Sequence, residues 1–468
     1  MPKPNQGELT IETLARALTF PGGIHPAEHK ELTENCAIEP GPLPRQLYVL
    51  LSQHLGAICK PTVAKRDKVS LGQKIGQSEA FVSAPVHSPV NGTVKDIALV
   101  SHPVIGREMA IIIDVDPQDT QIQLPDMSKI GPDFDETKYD SDHICTLVNN
   151  AGVVGMGGAG FPTRVKMSPN PQMPLDTIII NACECEPYIT CDYRMMLEWT
   201  DKIIAGVKLI KRATKCEKVF IAIEDNKPKA LELFAKRLKE SKNCLDFQLC
   251  AVKTKYPQGG EKQLIRSVLQ KDVPDGGIPP MIGVLVCNVA TAAAIADAVA
   301  QEKPLTHRVV TVSGGGINKV GNFYCAIGTT AGDLIDFCGG LNDKAVKILM
   351  GGPMMGFAIA DLSTPLTKTS GAITILTKKE IGNAKYENRQ TPCIRCGRCL
   401  DACPVNINPT KIAHAVKNDM LENAKQYYMM SCIECGCCSY VCPANIELTG
   451  YIKTGKILEA RRKKLMPE

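Results

Sequence analysis

The chain has 468 residues, too many for one compact hydrophobic core, and divides into several domains on length alone. Its composition, 44% hydrophobic and 22% charged, is that of a globular protein, and a net charge of +5 over this length excludes a dedicated nucleic-acid binder. The opening MPKPNQGELT is polar with no apolar stretch behind it, so no signal peptide is expected. The twenty-one cysteines then read as thiolate chemistry in a reducing compartment rather than as a disulfide framework.

Residues 1–60 form an N-terminal segment carrying GGIHP at Gly22–Pro26. Residues 61–120 hold short β-like runs (Gln73–Gly76, Phe81–Val82, Thr93–Leu99, Met109–Val115) broken at Ser88-Pro89 and Asn91-Gly92. Within them VHSPVNGTV (Val86–Val94) resembles the strand-turn-strand of biotinyl/lipoyl-type barrel-sandwich domains. The position where such carriers present their lysine is Phe81 here, so a structural barrel is expected and no swinging arm.

Across 139–305 strands and helices alternate. Strands are expected at Asp176–Ile180, Val219–Ile223, Phe247–Val252 and Val284–Val286, and helices at Tyr193–Arg212, Lys229–Glu240, Glu261–Leu269 and Val289–Ala300. That alternation predicts an α/β domain with a largely parallel sheet. The apolar run Met281–Ala300 is long enough to suggest a membrane span. Asn288, Thr291 and Asp297 interrupt it, so a buried strand and helix fit better. Residues 306–377 mix short strands with one helix, Ala331–Phe337, as a small α+β module; a polar linker at Lys378–Arg389 leads to a cysteine-dense, helix-rich end over 385–468.

That end carries CIRCGRCLDACP (Cys393–Pro404) and CIECGCCSYVCP (Cys432–Pro443), both C-x2-C-x2-C-x3-C-P. In this arrangement three cysteines of a tight loop grip one cubane and the fourth serves the neighbouring cluster. The proline removes an amide hydrogen that would otherwise need a partner. One [4Fe–4S] cluster is therefore assigned Cys393, Cys396, Cys399 and Cys442, and the other Cys432, Cys435, Cys438 and Cys403. A zinc ribbon also uses paired C-x2-C, but has no use for the additional cysteines in this register twice over. Cys437 is left as a spare thiol. The helical filler Pro409–Met430 points to an α-helical ferredoxin domain.

The stretch GVVGMGGAGFPTRVK (Gly152–Lys166) contains G-x-G-x-x-G at Gly155, Gly157 and Gly160. A Rossmann fingerprint needs a strand before it and a helix directly after. Here a helix at His143–Asn150 precedes, and Phe161-Pro162 is expected to prevent a helix from following. Taken by itself the loop is either an anion or cofactor loop, with backbone amides and Lys166 facing the ligand, or a glycine turn in a tight place. Cys183, Cys185 and Cys191 read as scattered core residues rather than a third metal site, and Asn181 and Asn288 by themselves as turn caps.

GGAGFPT (Gly157–Thr163), Lys166, NACECEP (Asn181–Pro187), YPQGGEKQLI (Tyr256–Ile265) and CNVAT (Cys287–Thr291) together resemble the motifs of the flavin- and NADH-binding 51-kDa subunit of respiratory complex I, over 141–300. With GGIHP, the barrel-like segment, a β-grasp (SLBB-like) module and the paired ferredoxin motifs in order, nearly the whole chain resembles the RnfC/RsxC family of Rnf electron transport complexes. The resemblance implies a multidomain α/β fold: a barrel-sandwich, a Rossmann-like FMN domain of the 51-kDa type, the β-grasp module and a two-cluster ferredoxin domain. It implies non-covalent FMN, with NAD(H) as substrate. Gly157, Gly158, Gly160 and Lys166 would hold the flavin phosphate and ring, and Asn181, Asn288 and Thr291 would contact FMN. Glu184, the catalytic candidate, and Glu261 would face the nicotinamide nucleotide. Cys183 and Lys262 stand where that family has Asp and a second Glu.

It further implies a peripheral subunit on the cytoplasmic side of a bacterial cell membrane, partnered by membrane subunits and a ferredoxin-domain subunit, and binding no nucleic acid. No residue here could form a membrane channel, so ion transport would belong to the partners. Two other readings stay open: a flavin/iron–sulfur cobalamin reductase, and a non-catalytic electron-relay or assembly subunit with a decayed nucleotide site. The basic tail (Lys453, Lys456, Arg461, Arg462, Lys463, Lys464) could dock on acidic lipid or a partner, or be a solvated helix end.

Overall fold

A computed structural model describes residues 18–119, 121–168, 170–244, 246–382, 387 and 389–465. Four sheets organise them. In the N-terminal part, β1 (Ile38–Pro40) is followed by β2 (Gln46–Leu50), β3 (Lys60–Pro61), β4 (Lys68–Val69), β5 (Lys74–Gln77), β6 (Val86–His87), β7 (Gly92–His102) and β8 (Gly106–Val115). Strands β2–β8–β7–β4 and β3–β5–β6 form two sheets closed around Leu47, Val49, Val69, Ile75, Val86, Val94, Ile111 and Ile113. Alternation along β2 and β8 supplies this inner face, as expected of strands with one buried side. Phe81 lies outside the named strands. It is exposed, and the Arg164 guanidinium sits 4.7 Å from its ring centre.

The α/β part begins with α1 (Ser141–Asn150), capped by the Asp140 side chain on His143 N, and α2 (Thr163–Met167). The second helix corrects the expectation that none follows the glycine loop. Pro162 does not block it, because proline stands just ahead of the first turn, where its missing N–H has no helical partner to lose. Next come β9 (Thr177–Ala182), α3 (Cys191–Glu198), α4 (Thr200–Thr214), β10 (Lys218–Glu224), α5 (Pro228–Glu240), β11 (Phe247–Val252), α6 (Glu261–Leu269), β12 (Val284–Asn288) and α7 (Val289–Ala300). One helix was expected over Tyr193–Arg212; Trp199 divides it into α3 and α4.

The sheet order is β11–β10–β9–β12, all parallel. Its strands are continuous apolar runs, because helices cover both faces. The chain thus moves outward from β9 to β11 and then returns to the other side of β9 with β12. That reversal makes the carboxyl ends of β9 and β12 a topological switch point, where α/β sheets leave a crevice for ligands. Helices α4 and α7 cross so closely that a Cβ on Gly206 would lie 1.9 Å from the Ala292 carbonyl oxygen. Buried Lys202 pairs with Asp297 beside that crossing.

The next sheet runs β1–β14–β13–β17–β15–β16, where β13 is His307–Ser313, β14 Gly321–Ala326, β15 Ala345–Met350, β16 Phe357–Ala358 and β17 Ala372–Thr377. Helix α8 (Ala331–Phe337) packs on it, started by a reciprocal Thr330–Asp333 capping box. Its edge strand β1 comes from the far N-terminal part and pairs in parallel with β14, Ile38 opposite Asn322. The cysteine-dense end is helical, with segments at Arg398–Asp401, Pro409–Lys417, Leu421–Gln426, Cys437–Tyr440 and Leu448–Leu465. Among the described residues no helix is long and apolar enough to cross a membrane; Met281–Ala300 resolves into a short 3-10 turn, β12 and α7.

Candidate functional site

Asn181 and Asn288 stand side by side in register near the ends of β9 and β12, at the switch point. The Asn288 side chain caps α7 by accepting from Ala290 N (2.9 Å), and its Nδ2 donates to Asp192 Oδ2 (2.6 Å). Asp192 N in turn donates to Glu184 Oε1 (2.7 Å) and Tyr193 N to Oε2 (3.3 Å), so Glu184 takes up free amides at the start of α3. Gly157 lies against Asn288; a Cβ there would come 2.7 Å from Nδ2. Thr291 Oγ1 accepts from Met156 N (2.9 Å), fixing the glycine loop to α7. Gly157, Asn288, Thr291 and Glu184 are thus one connected set.

A second group sits alongside. Lys166 Nζ pairs with Glu261 Oε1 at 2.9 Å and donates to the Val286 carbonyl at 3.3 Å. Asn181 Nδ2 donates to Gly259 O (2.8 Å), holding the turn that starts α6. Gly160 has φ +72°, and a Cβ would press on the Thr369 methyl at 2.8 Å; its carbonyl accepts from Leu55 N of the barrel. Gly158 differs from Gly157 and Gly160 in that a Cβ there would meet nothing within 4 Å. The loop therefore has one packed side and one open side, with Lys166 close by. Buried Thr163 Oγ1 and Gln258 Oε1 lack partners. An open glycine backbone, orphaned polar atoms and a lysine at a switch point fit a phosphate-bearing flat cofactor.

Burial raises the Glu184 carboxyl from 4.5 to about 7. A cleft beside it is lined by His25, Lys30, Glu184, Glu224, Asn226 and Tyr256. Glu224 is fully buried and paired with Lys227, and it accepts from Glu184 N (3.1 Å). Cys183 and Cys191 are buried and Cys185 half-buried. Ligand atoms of Glu184, Cys191 and Asp192 lie within 4.8 Å of one another, a proximity already used in hydrogen bonds among these residues and Asn288. Sequence reasoning missed Asp192, which no spacing pattern singles out, and gave no role to Tyr256 although it heads the YPQGGEKQLI motif.

In the cysteine-dense end the two runs repeat at an interval of 39 residues, Cys393 matching Cys432. The backbone repeats with them. Arg395 and Glu434 have φ 56° and 58°, Gly397 and Gly436 79° and 82°, Asn406 and Asn445 both 53°. Arg395 N points at Cys393 Sγ and Glu434 N at Cys432 Sγ, each at 3.4 Å. Thr410 and Thr449 hydroxyls lie by Cys399 and Cys438. The thiols of Cys432, Cys435, Cys438 and Cys403 are close enough that charge on one opposes ionisation of the next, after burial, which pushes Cys438 up to about 12. Soft thiolates wound into such loops with amides aimed at sulfur fit iron–sulfur clusters. Cys437 has its thiol by Tyr256 O and in contact with the Cys435 thiol, at the edge of this set.

A flavin-type nucleotide site and a paired cluster site in one chain define the class, a flavin- and iron–sulfur-dependent oxidoreductase subunit. Family models agree: the RnfC barrel sandwich hybrid domain matches residues 18–118, the Nuo51 FMN-binding domain 148–297, the SLBB domain 309–358 and a 4Fe-4S dicluster domain 378–447. The chain is 43% identical to the C-subunit of the proton-translocating ferredoxin:NAD(+) oxidoreductase complex of Clostridium ljungdahlii, over 88% of this chain and 87% of that one. It is 38% identical to the Na(+)-translocating counterpart of Acetobacterium woodii, over 95% and 98%. It is 37% identical to the C-subunit of the ion-translocating oxidoreductase complex of Rhodobacter capsulatus, over 89% and 78%. The chain belongs to the RnfC family of ion-translocating oxidoreductase complexes.

Proposed function

We propose that this chain is the peripheral NAD(H)-reactive subunit of an ion-translocating electron transport complex of the ferredoxin:NAD oxidoreductase type. It would exchange electrons between NAD(H), FMN and two [4Fe–4S] clusters. The observation that carries this reading is the switch-point site, where Gly157, Lys166, Asn181, Asn288 and Thr291 are held together within one chain that also bears both cysteine loops. FMN, when bound, supplies the conversion between a hydride and single electrons that nicotinamide and clusters cannot make directly.

The residues divide the work. Gly157, Gly158 and Gly160 let backbone approach the phosphate and ring, and Lys166 offsets the phosphate charge. Asn181, Asn288 and Thr291 shape the floor. Glu184, its carboxyl pushed up by burial to about 7, would hold or release a proton on the nicotinamide side, and Glu261 would face the same nucleotide. Cys393, Cys396, Cys399 and Cys442 would hold one cluster and Cys432, Cys435, Cys438 and Cys403 the other. The partners are membrane subunits and a ferredoxin-domain subunit on the cytoplasmic face. Lys456 and Arg462 of the basic tail are spent internally on Glu434 and Glu422.

The test is an anaerobic titration of the purified, FMN- and iron-loaded chain with NADH. Bleaching of flavin absorbance followed by cluster reduction supports the proposal. Eight irons with no flavin uptake would leave only the relay reading.

A further inference from the structure

We infer that the cluster of Cys403, Cys432, Cys435 and Cys438 is the one that exchanges electrons with the flavin domain directly, with Tyr256 as the residue that positions it. The cluster of Cys393, Cys396, Cys399 and Cys442 is then the outer one, reached only through the first. The inference rests on the function proposed above and adds the order of the two centres and the residue that couples them.

Two loops of the same backbone shape have opposite surroundings. Cys393 and Cys396 are exposed, and Ile394 between them is 68% exposed. Cys403, Cys435 and Cys438 are buried. Cys403 and Cys438 are buried by the helices of their own cysteine-dense end, whereas Cys435 is covered by the flavin domain. Tyr256 is 2% exposed, and its hydroxyl donates to the Cys435 carbonyl at 2.7 Å. Ile24, Tyr256, Ala402, Cys435 and Cys437 form a small apolar core, with Cys185 and Met354 against it. The motif residue Cys185 and the turn before β16 thus press on the same loop. Glu186 fixes that turn by accepting from Met354 N (2.6 Å) and Met355 N (3.1 Å).

Tyr256 is also one end of the segment that builds the flavin side. Three residues on, Gly259 O holds Asn181, and Glu261 pairs with Lys166. A continuous covalent stretch therefore runs from the proposed flavin contacts to the hydrogen bond on Cys435. The GGIHP segment locks this join. Gly23 N donates to Ala402 O (3.0 Å), and Ile24 and Tyr256 exchange both backbone hydrogen bonds (2.8 and 2.9 Å). Gly22 and Gly23 have φ +74° and +77°, and a Cβ on either would lie 2.7 Å from a backbone oxygen, of Cys403 and of Tyr256 respectively. By contrast, among the described residues the hydrogen bonds of the Cys393–Cys399 loop stay within the cysteine-dense end.

In balance, NADH yields NAD+, one proton and two electrons. With both groups bound, each electron would pass singly to the centre held by Cys403, Cys432, Cys435 and Cys438 and from it to the outer one. The two centres together take both electrons, and an external one-electron acceptor protein then reoxidises the outer centre.

The full chain, reconstituted anaerobically with iron, sulfide and FMN, tests the order. Cys396→Ser removes the outer centre and Cys432→Ser the inner, with the remaining centre counted by its EPR signal after dithionite. On mixing with NADH, the centre left in Cys396→Ser should be reduced within about threefold of the wild-type rate, and the centre left in Cys432→Ser at least about 100-fold more slowly. Tyr256→Phe, which keeps the ring and loses the hydroxyl, should slow cluster reduction about tenfold relative to flavin bleaching measured in the same variant; equal slowing of both steps would deny Tyr256 the positioning role. Should Cys432→Ser fail to fold, an iron chelator applied to the wild-type protein decides through EPR, since the outer centre should be lost first. NADH-driven reduction of the centre left in Cys432→Ser at the wild-type rate, or loss of both centres together to chelator, overturns the order. An absence of flavin bleaching in the wild type would instead remove the parent function.

Discussion

Lys166 and Glu261 form a 2.9 Å ion pair across the mouth between the glycine loop and α6, both about one-third exposed. The proposed phosphate-side lysine and the proposed nucleotide-side glutamate therefore hold one another. Lys166→Met should lower FMN affinity about 10- to 100-fold, the scale of one charge-assisted hydrogen bond. Glu261→Gln should affect FMN far less and NADH more. Flavin retention on gel filtration and NADH-driven bleaching separate the two.

Gly206 and Gly158 should respond in opposite ways to the same added methyl. At Gly206 the methyl meets the Ala292 carbonyl at the α4–α7 crossing, so Gly206→Ala should cost about 3 kcal/mol or more and lower the melting temperature. At Gly158 nothing stands within 4 Å, so Gly158→Ala should melt as wild type. Its loss should appear only as weaker FMN binding, because the methyl enters the open side of the loop.

Stability should depend on pH in two opposed windows. Glu184 is raised by burial from 4.5 to about 7, so its contribution is full below 4.5 and lost as pH rises through about 7. Half-buried His307 and buried His87 are lowered from 6.5 to about 4 and about 3; their contribution is present above 6.5 and lost as pH falls through those values. Glu184→Gln should flatten the urea midpoint between pH 4.5 and 7 and leave the acid limb in place.

Lys368 should prove structural despite its charge. It is buried, and its Nζ donates to Pro85 O of the barrel and to Gly152 O at the head of the glycine loop, both at 2.7 Å. Lys368→Met leaves both carbonyls without a donor at about 1–3 kcal/mol each. Protease cleavage within the glycine loop should rise in the variant while the absorbance of the iron–sulfur centres is unchanged.

Local patterns carried much of the sequence reading. Helices at Glu261–Leu269, Val289–Ala300 and Ala331–Phe337 were legible because their apolar residues are local to each segment, and Asn288 and Thr330 cap the last two. The break at Trp199 was not, since it arises where the indole meets Tyr324 edge-on and Lys202 lies over its face. The motif residues Asn181 and Asn288 could be named, but their partner Asp192 could not, because its role depends on α3 starting beside β12. Nor could any pattern show that the segment from Leu18 to Pro40 joins three sheets or loops, with bridges from Leu18 to Val252, Ile24 to Tyr256 and Ile38 to Asn322. Each pairing is specified by residues hundreds of positions away.

The Gly23–Ala402 hydrogen bond ties a stretch that leaves the ribosome early to one that leaves it late. That closure cannot form until the first cysteine loop, to which Ala402 belongs, has been made and has found its shape. The double-glycine turn is therefore among the first parts of the chain to be made and among the last to be closed.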